Sequence, residues 1–213
     1  AMSDNPHEAV IVSAVRTPIG SFKGTLLPFS DSDLGGIVIR AAVERAGIDP
    51  AMIDEVLMGN VVLAGQGQAP ARQAGIKGGV PPSVGATTVN KICGSGLKTI
   101  MLAAAMIAAG DGEIFVAGGM ESMNNGPYML KKARFGYRLG DDKLVDAMVH
   151  DGLWCSFEDH HMGNSAEWIA REHDVSREDM DEYAYQSQMK AIEAIDEGRF
   201  EEEIVPLEVP QRR

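Results

Sequence analysis

The sequence predicts an α/β fold. Two observations carry that expectation: short apolar runs of strand length alternate with stretches of helical spacing, and the runs end at glycine or proline. Val10-Ile11-Val12, set between polar residues and closed by Arg16-Thr17-Pro18, reads as a short buried strand leaving through a turn. Leu34, Ile37, Val38, Ala41, Ala42 and Ala46 follow helical spacing, with Gly47 as the stop. Val56-Leu57-Met58 and Val61-Val62-Leu63 make a second apolar run, broken by Gly59-Asn60. Residues 69–77 read as a short helix and Thr87-Thr88-Val89 as a third strand. A helix is expected from Lys98 onward, then a strand at Ile114-Phe115-Val116-Ala117 that ends in Gly118-Gly119. Alternation of this kind implies a mainly parallel sheet covered by helices.

After Met120 the character changes. Residues 120–163 are rich in Gly, Met and polar side chains and read as a long irregular excursion, the kind of segment that usually carries function. Helices are expected at 165–172 and at 177–197, the second opened by a capping box of Ser176 with Asp179. Residues 171–203 hold twelve acidic and four basic side chains, which reads as a solvated outer face. The stretch from Thr99 to Gly110 has no charge on any face, so a helix there must be covered all round. The chain offers few other apolar elements for that cover. A partner subunit or a further half of the protein is expected to supply it.

Composition bounds the function. The 213 residues carry 31 acidic and 19 basic side chains, a net charge of −12, with 45% hydrophobic residues. That balance excludes intrinsic disorder and collagen-like repeats, and it is a poor match for nucleic acid, which needs clustered cations. The uncharged run Thr99–Gly110 is far short of a membrane span. No secretory leader pattern opens the chain, and Ala1 before Met2 reads as a cloning remnant. Two cysteines without such a leader suggest free thiols in a reducing compartment, so a cytoplasmic location is expected.

The sharpest constellation is Val89-Asn-Lys-Ile-Cys93-Gly-Ser-Gly96-Leu. It places a thiol where a strand ends and an apolar helix begins. Unpaired N–H groups and the helix dipole favour negative charge there, hence the thiolate, which is the nucleophilic form. Gly94 and Gly96 would keep bulk away from an approaching carbonyl, and the Cys93 N–H could face the oxygen that becomes negative. The alternative is an inert core cysteine, the commoner fate of a lone thiol.

The segment N-K-I-C-G-S-G-L-K around Cys93 resembles the nucleophile motif of the thiolase family. Four other stretches resemble that family in the right order. They are Ala14-Val-Arg-Thr-Pro18-Ile-Gly-Ser-Phe, Gly65-Gln-Gly-Gln-Ala-Pro-Ala-Arg-Gln73, Val116-Ala-Gly-Gly-Met-Glu-Ser-Met123, and Asp151-Gly-Leu153 with His161-Met-Gly163 and Ala166-Glu167. The His161-Met162 pairing resembles short-chain, acetoacetyl-CoA-type members.

What the resemblance implies is a thiolase-like fold: the N-terminal βαβαβ half of a five-layer αβαβα architecture with an inserted loop domain. Residues 1–120 would form the half-domain carrying the nucleophile, 121–200 the loop domain lining the CoA pocket, and 201–213 the return to the core. Cys93 would be the catalytic nucleophile, with Leu153, His161 and Met162 binding substrate. The implied activity is that of an acetyl-CoA C-acetyltransferase. It forms acetoacetyl-CoA from two acetyl-CoA, or cleaves 3-ketoacyl-CoA with CoA, through an acyl-cysteine intermediate. CoA thioesters are then substrates, and no cofactor is permanently bound. Homodimers or homotetramers are implied, with no nucleic acid and no membrane as partners. The family's activating His, second acid/base Cys and part of its oxyanion hole belong to a C-terminal half, and the sequence stops at Gln211-Arg-Arg213 before any of them. The chain is therefore expected to be an N-terminal portion, inactive alone. A non-catalytic acyl-CoA-binding or assembly fragment is the alternative.

Lys131, Lys132, Arg134, Arg138 and Lys143, against Asp141 and Asp142, form a basic island in an acidic chain. It could steer polyanionic CoA, or be a solvated or subunit-contacting loop; the resemblance favours the loop that joins dimers into tetramers. His150, Cys155, His160 and His161 match no standard zinc spacing. Gly65-Gln-Gly-Gln lacks the third glycine and the strand context of a dinucleotide fingerprint.

Overall fold

The computed structural model describes residues 8–210, so Ala1, Met2 and Gln211-Arg212-Arg213 lie outside the described residues. Strand β1 (Glu55–Gly59) stands at the centre of a parallel three-stranded sheet, between β2 (Gly85–Val89) and β3 (Phe115–Gly119). Its register places Gly59 opposite both Val89 and Gly119, so all three strands end at one edge. Val56, Leu57 and Met58 are all buried, because a central parallel strand is covered on both faces.

Helices α1 (Asp31–Ala46) and α2 (Pro70–Lys77) cover one face. Ile39, Val43, Ala71 and Ala74 meet Val56, Met58, Val80 and Met120 there in one core cluster. Full burial of a side chain such as Ile39 or Val56 stabilises by about 1.5–3 kcal/mol. The ends of α1 are set by its sequence. Ser30 Oγ accepts the Asp33 N–H, Asp33 accepts the Ser30 N–H in return, and Gly47 closes the helix at φ 66°. Helix α2 opens on Pro70 with no side-chain cap from Ala69 before it; Thr88 of β2 accepts the Ala71 N–H at 3.0 Å instead.

Helix α3 (Ser95–Ala109) lies on the opposite face of the sheet. A Cβ at Gly59 would stand 2.7 Å from the Gly96 nitrogen, so glycine at the end of β1 is what lets the helix start so close to the sheet. Thr99, fully buried, brings its hydroxyl to 2.9 Å from the Gly118 carbonyl and ties α3 to β3.

Beyond β3, residues 120–161 contain two minimal antiparallel ladders, β4 (Tyr128–Met129) with β5 (Val145–Asp146) and, after α4 (Ala147–Gly152), β6 (Trp154–Cys155) with β7 (His160–His161). Helices α5 (Met162–Glu172) and α6 (Arg177–Asp196) follow. The Ser176–Asp179 capping box is formed as expected. Acidic side chains of α6 are exposed, but so are Tyr183, Tyr185, Met189, Ile192 and Ile195, which the charge count did not anticipate.

Several expectations are corrected. Val10, Ile11 and Val12 are exposed and form no strand, since no strand pairs with them among the described residues. That segment is held further on, where Arg16 donates its N–H to the Glu203 carbonyl and accepts the Val205 N–H, both at 2.8 Å. Val61-Val62-Leu63 is not a strand either, because the Val61 and Val62 N–H groups are taken by the Glu121 carboxylate. Helix α3 begins at Ser95 rather than Lys98. Helix α5 begins at Met162 rather than 165, capped by His161 Nδ1, which accepts the Gly163 N–H at 3.0 Å.

The cover demanded for the apolar helix does not come from the described residues. Only Ser95, Thr99 and Ala103 of α3 are buried, while Leu97 and Met101 remain 66% and 56% exposed. By composition the window Ile92–Ala109, wider than the Thr99–Gly110 run, is apolar enough to cross a membrane, with mean hydropathy 1.7. A 15-residue helix is only about 22 Å long against a hydrocarbon core of about 30 Å. Its Ser95–Thr99–Ala103 stripe already lies against the sheet.

Candidate active site

The three strands release their chains at one edge, and in parallel sheets that is the edge where ligands bind. Asn60–Leu63 leaves β1 there, Asn90–Gly94 leaves β2 and Met120–Ser122 leaves β3. Cys93 lies two residues before α3, and its thiol is exposed. The turn before it is built tightly. Ile92 sits at φ 50°, a left-handed conformation that a β-branched residue rarely adopts. Asn90 Oδ1 accepts the Ile92 N–H at 3.1 Å, and the buried Ser95 hydroxyl donates to the Ile92 carbonyl at 2.6 Å. The same hydroxyl accepts the Lys91 N–H at 2.8 Å. Cys93 is thus lifted out on a braced turn at a helix N-terminus, not packed as a core cysteine.

Gly94 and Gly96 divide differently from the expectation. A Cβ at Gly94 would meet only the Lys91 carbonyl, at 3.5 Å, so that side of the turn is open. Gly96 faces the sheet, where its Cα would stand 3.2 Å from a Cβ on Gly119. Its place is in helix–strand packing rather than in clearing space for a carbonyl.

Leu153, His161 and Met162 are brought together by the β6–β7 ladder. Trp154 pairs with His161, and the Met162 N–H donates to the Leu153 carbonyl at 2.8 Å. Leu153 is half-buried, while His161 and Met162 are exposed. Among the described residues no hydrogen bond joins this group to Cys93. Val62 packs beside this group: it is buried, and Cβ atoms placed on Gly126 and Gly152 would meet its methyl groups at 3.6 and 3.8 Å.

A polar network behind the strand ends escaped the sequence reading. Glu121 accepts the Val61 N–H at 2.7 Å, the Val62 N–H at 3.1 Å and an Asn60 Nδ2 hydrogen at 3.0 Å. Asn60 Nδ2 also lies 3.1 Å from Asp31 Oδ1, which accepts the Ser122 N–H at 2.8 Å. Asp31 and Asn60 are fully buried, and among the described residues Asp31 Oδ2 and Asn60 Oδ1 have no hydrogen-bond partner. Burial holds the Glu121 carboxyl above its ordinary range, the two backbone N–H groups oppose that, and the neighbouring Asp31 adds to it. The signal available in the sequence was a polar residue directly after an apolar strand, Asn60 after Gly59 and Glu121 shortly after Gly119.

In the basic island Lys132 pairs with Asp142 at 3.1 Å, and Lys131 Nζ lies 2.7 Å from His150 Nε2. Among the described residues no group of three or more His, Cys, Asp or Glu is placed to hold a metal ion.

A family profile described as the thiolase N-terminal domain matches residues 9–213. The chain is 53% identical over 206 residues to an acetyl-CoA acetyltransferase of Cupriavidus necator, covering 97% of this chain and 52% of that protein. It is 51% identical over 207 residues to an acetyl-CoA acetyltransferase of Pseudomonas aeruginosa, covering 97% and 53%. A third, the acetyl-CoA acetyltransferase of Escherichia coli K12, is 55% identical over 205 residues, covering 96% and 52%. The chain spans about half the length of the curated relatives it matches.

Proposed function

This chain belongs to the thiolase family, and on that footing we propose that it is the nucleophile-bearing half of an acetyl-CoA C-acetyltransferase, with Cys93 as the acyl acceptor. The observation that carries the proposal is the exposed thiol on a braced turn, at the sheet edge and the N-terminus of α3. The Cys93 thiolate attacks the thioester carbonyl carbon, a carbon–sulfur bond forms, and the oxygen takes the negative charge. Collapse expels the CoA thiolate and leaves an acyl-cysteine. In synthesis the methyl carbon of a second acetyl-CoA loses a proton and attacks that acyl carbon, which returns the thiolate and yields acetoacetyl-CoA. Thiolysis is the same sequence reversed.

The proton from the methyl carbon needs a base. That base is assigned to the part of the protein outside this span, since the chain covers only about half the length of the relatives it matches. The uncovered face of α3, with Leu97 and Met101, is assigned to the same missing half. Residues 1–120 are read as the nucleophile half-domain, 121–200 as the loop domain and 201–213 as the return to the core. Leu153, His161 and Met162 are assigned to the acyl-CoA pocket, because one ladder groups them. A cytoplasmic homodimer or homotetramer, using CoA thioesters as substrates without a bound cofactor, completes the reading. The test is thiolysis: the full-length protein should cleave acetoacetyl-CoA with CoA, and the 213-residue chain alone should not. Full-rate thiolysis by the isolated chain would refute the division of labour.

A further inference from the structure

We propose that Asn90 is a positioning residue for Cys93: its side-chain amide ties the left-handed turn that carries the thiol to the backbone clamp that Glu121 makes on Val61 and Val62. The proposal rests on Cys93 being the acyl acceptor. Asn90 is exposed, yet both ends of its amide are engaged. Oδ1 accepts the Ile92 N–H at 3.1 Å, and Nδ2 donates to the Val61 carbonyl at 3.2 Å. The Val61 peptide is itself fixed, since Glu121 accepts the N–H groups of Val61 and Val62. The turn therefore rests on a strand-end loop that a half-buried carboxyl holds still.

Ile92 explains why such a tie is needed. At φ 50° a β-branched residue is strained, and strain of this kind persists only where surrounding bonds over-determine the backbone. Ser95 grips the Ile92 carbonyl from the helix side, while Asn90 grips its N–H from the sheet side. Without Asn90 the turn is pinned from one side only, and the next residue in the chain is Cys93. The other side of the clamp leads to substrate: Val62 packs under Gly126 and Gly152, and Gly152 adjoins Leu153. Asn90 thus sets the thiol against the same reference that supports the proposed pocket.

The test is the rate at which acetyl-CoA acylates Cys93 in the full-length protein, followed by rapid quench and mass spectrometry. Asn90→Ala is expected to slow acylation at saturating acetyl-CoA by about 10- to 100-fold, the size of effect that a displacement of roughly 1 Å can have. Half-saturation should move by less than about twofold, since binding is not what Asn90 provides. Asn90→Ser keeps a short acceptor for the Ile92 N–H but cannot reach Val61, and should recover only part of the rate. Wild-type acylation by Asn90→Ala overturns the proposal, and so does a full wild-type rate in Asn90→Ser should the alanine variant fail to fold. An unvaried protein that forms no Cys93 adduct instead overturns the acyl-acceptor reading, and the positioning role falls with it.

Discussion

Glu121 accepts the Val61 N–H at 2.7 Å, and through that bond a half-buried carboxyl just after β3 holds the loop that leaves β1. The relationship is costly to remove. Glu121→Ala would strand the N–H groups of Val61 and Val62 in a half-buried site, at about 1–3 kcal/mol for each group left unpaired. Chemical denaturation of the full-length protein should show a loss of at least about 2 kcal/mol. Glu121→Gln, which keeps an acceptor, should lose much less. Equal losses in the two variants would contradict the clamp.

The same carboxyl makes stability depend on pH. Burial raises its proton affinity and the facing acid, Asp31, raises it further, against the two backbone N–H groups. A carboxyl raised in the folded state stabilises most when protonated. Its contribution is whole below the ordinary value of 4.5 and is lost as pH rises through the folded value. Relative to Glu121→Gln, the unvaried protein should therefore lose stability as pH rises across that window. Parallel pH profiles for the two proteins would show that Glu121 does not titrate in this way.

Gly59→Ala tests the close approach of α3 to the sheet. The added Cβ would stand 2.7 Å from the Gly96 nitrogen, which cannot yield without moving the helix start. The expected loss is about 1–3 kcal/mol, with slower Cys93 acylation because the thiol sits at that start. Gly119→Ala, whose Cβ would meet the Gly96 Cα at 3.2 Å, should be milder. Reversal of that order in denaturation midpoints would mean that the contact is not the limiting one.

Ile92→Gly separates strain from function. Glycine adopts φ 50° freely, so relief of about 1–2 kcal/mol should roughly offset or exceed the 0.5–1 kcal/mol, approximately, that glycine's extra unfolded-state freedom costs. Stability should therefore stay level or rise slightly, while acylation of Cys93 slows as the turn loosens. Unchanged acylation would show that the strained turn does not position the thiol.

Much of the fold was legible because its signals are local. Gly47, Gly118-Gly119 and the Ser176–Asp179 box mark ends that the chain sets within a few residues. Val56-Leu57-Met58 announced a strand covered on both faces by being apolar at every position. Apart from two helix starts, at Ser95 and Met162, that lie three residues earlier than expected, the failures are non-local. Val10-Ile11-Val12 has the residues of a strand without a strand beside it among the described residues, and Val61-Val62 lost its ladder to a carboxylate 60 positions away. Cys93 could be found from its motif and its place before a helix. Asn90, two bonds wide and engaged at both ends, could not, because its partner Val61 lies 29 positions earlier in the chain.

The most direct measurement is the mass of the peptide carrying Cys93 after the full-length protein meets acetyl-CoA and is quenched in acid. The expected result is one acetyl group on Cys93, discharged when free CoA is added before the quench. A peptide of unchanged mass, or an acetyl group found on Cys155 instead, would contradict the assignment of Cys93 as the acyl acceptor; CoA binding retained without any adduct would point to a binding fragment.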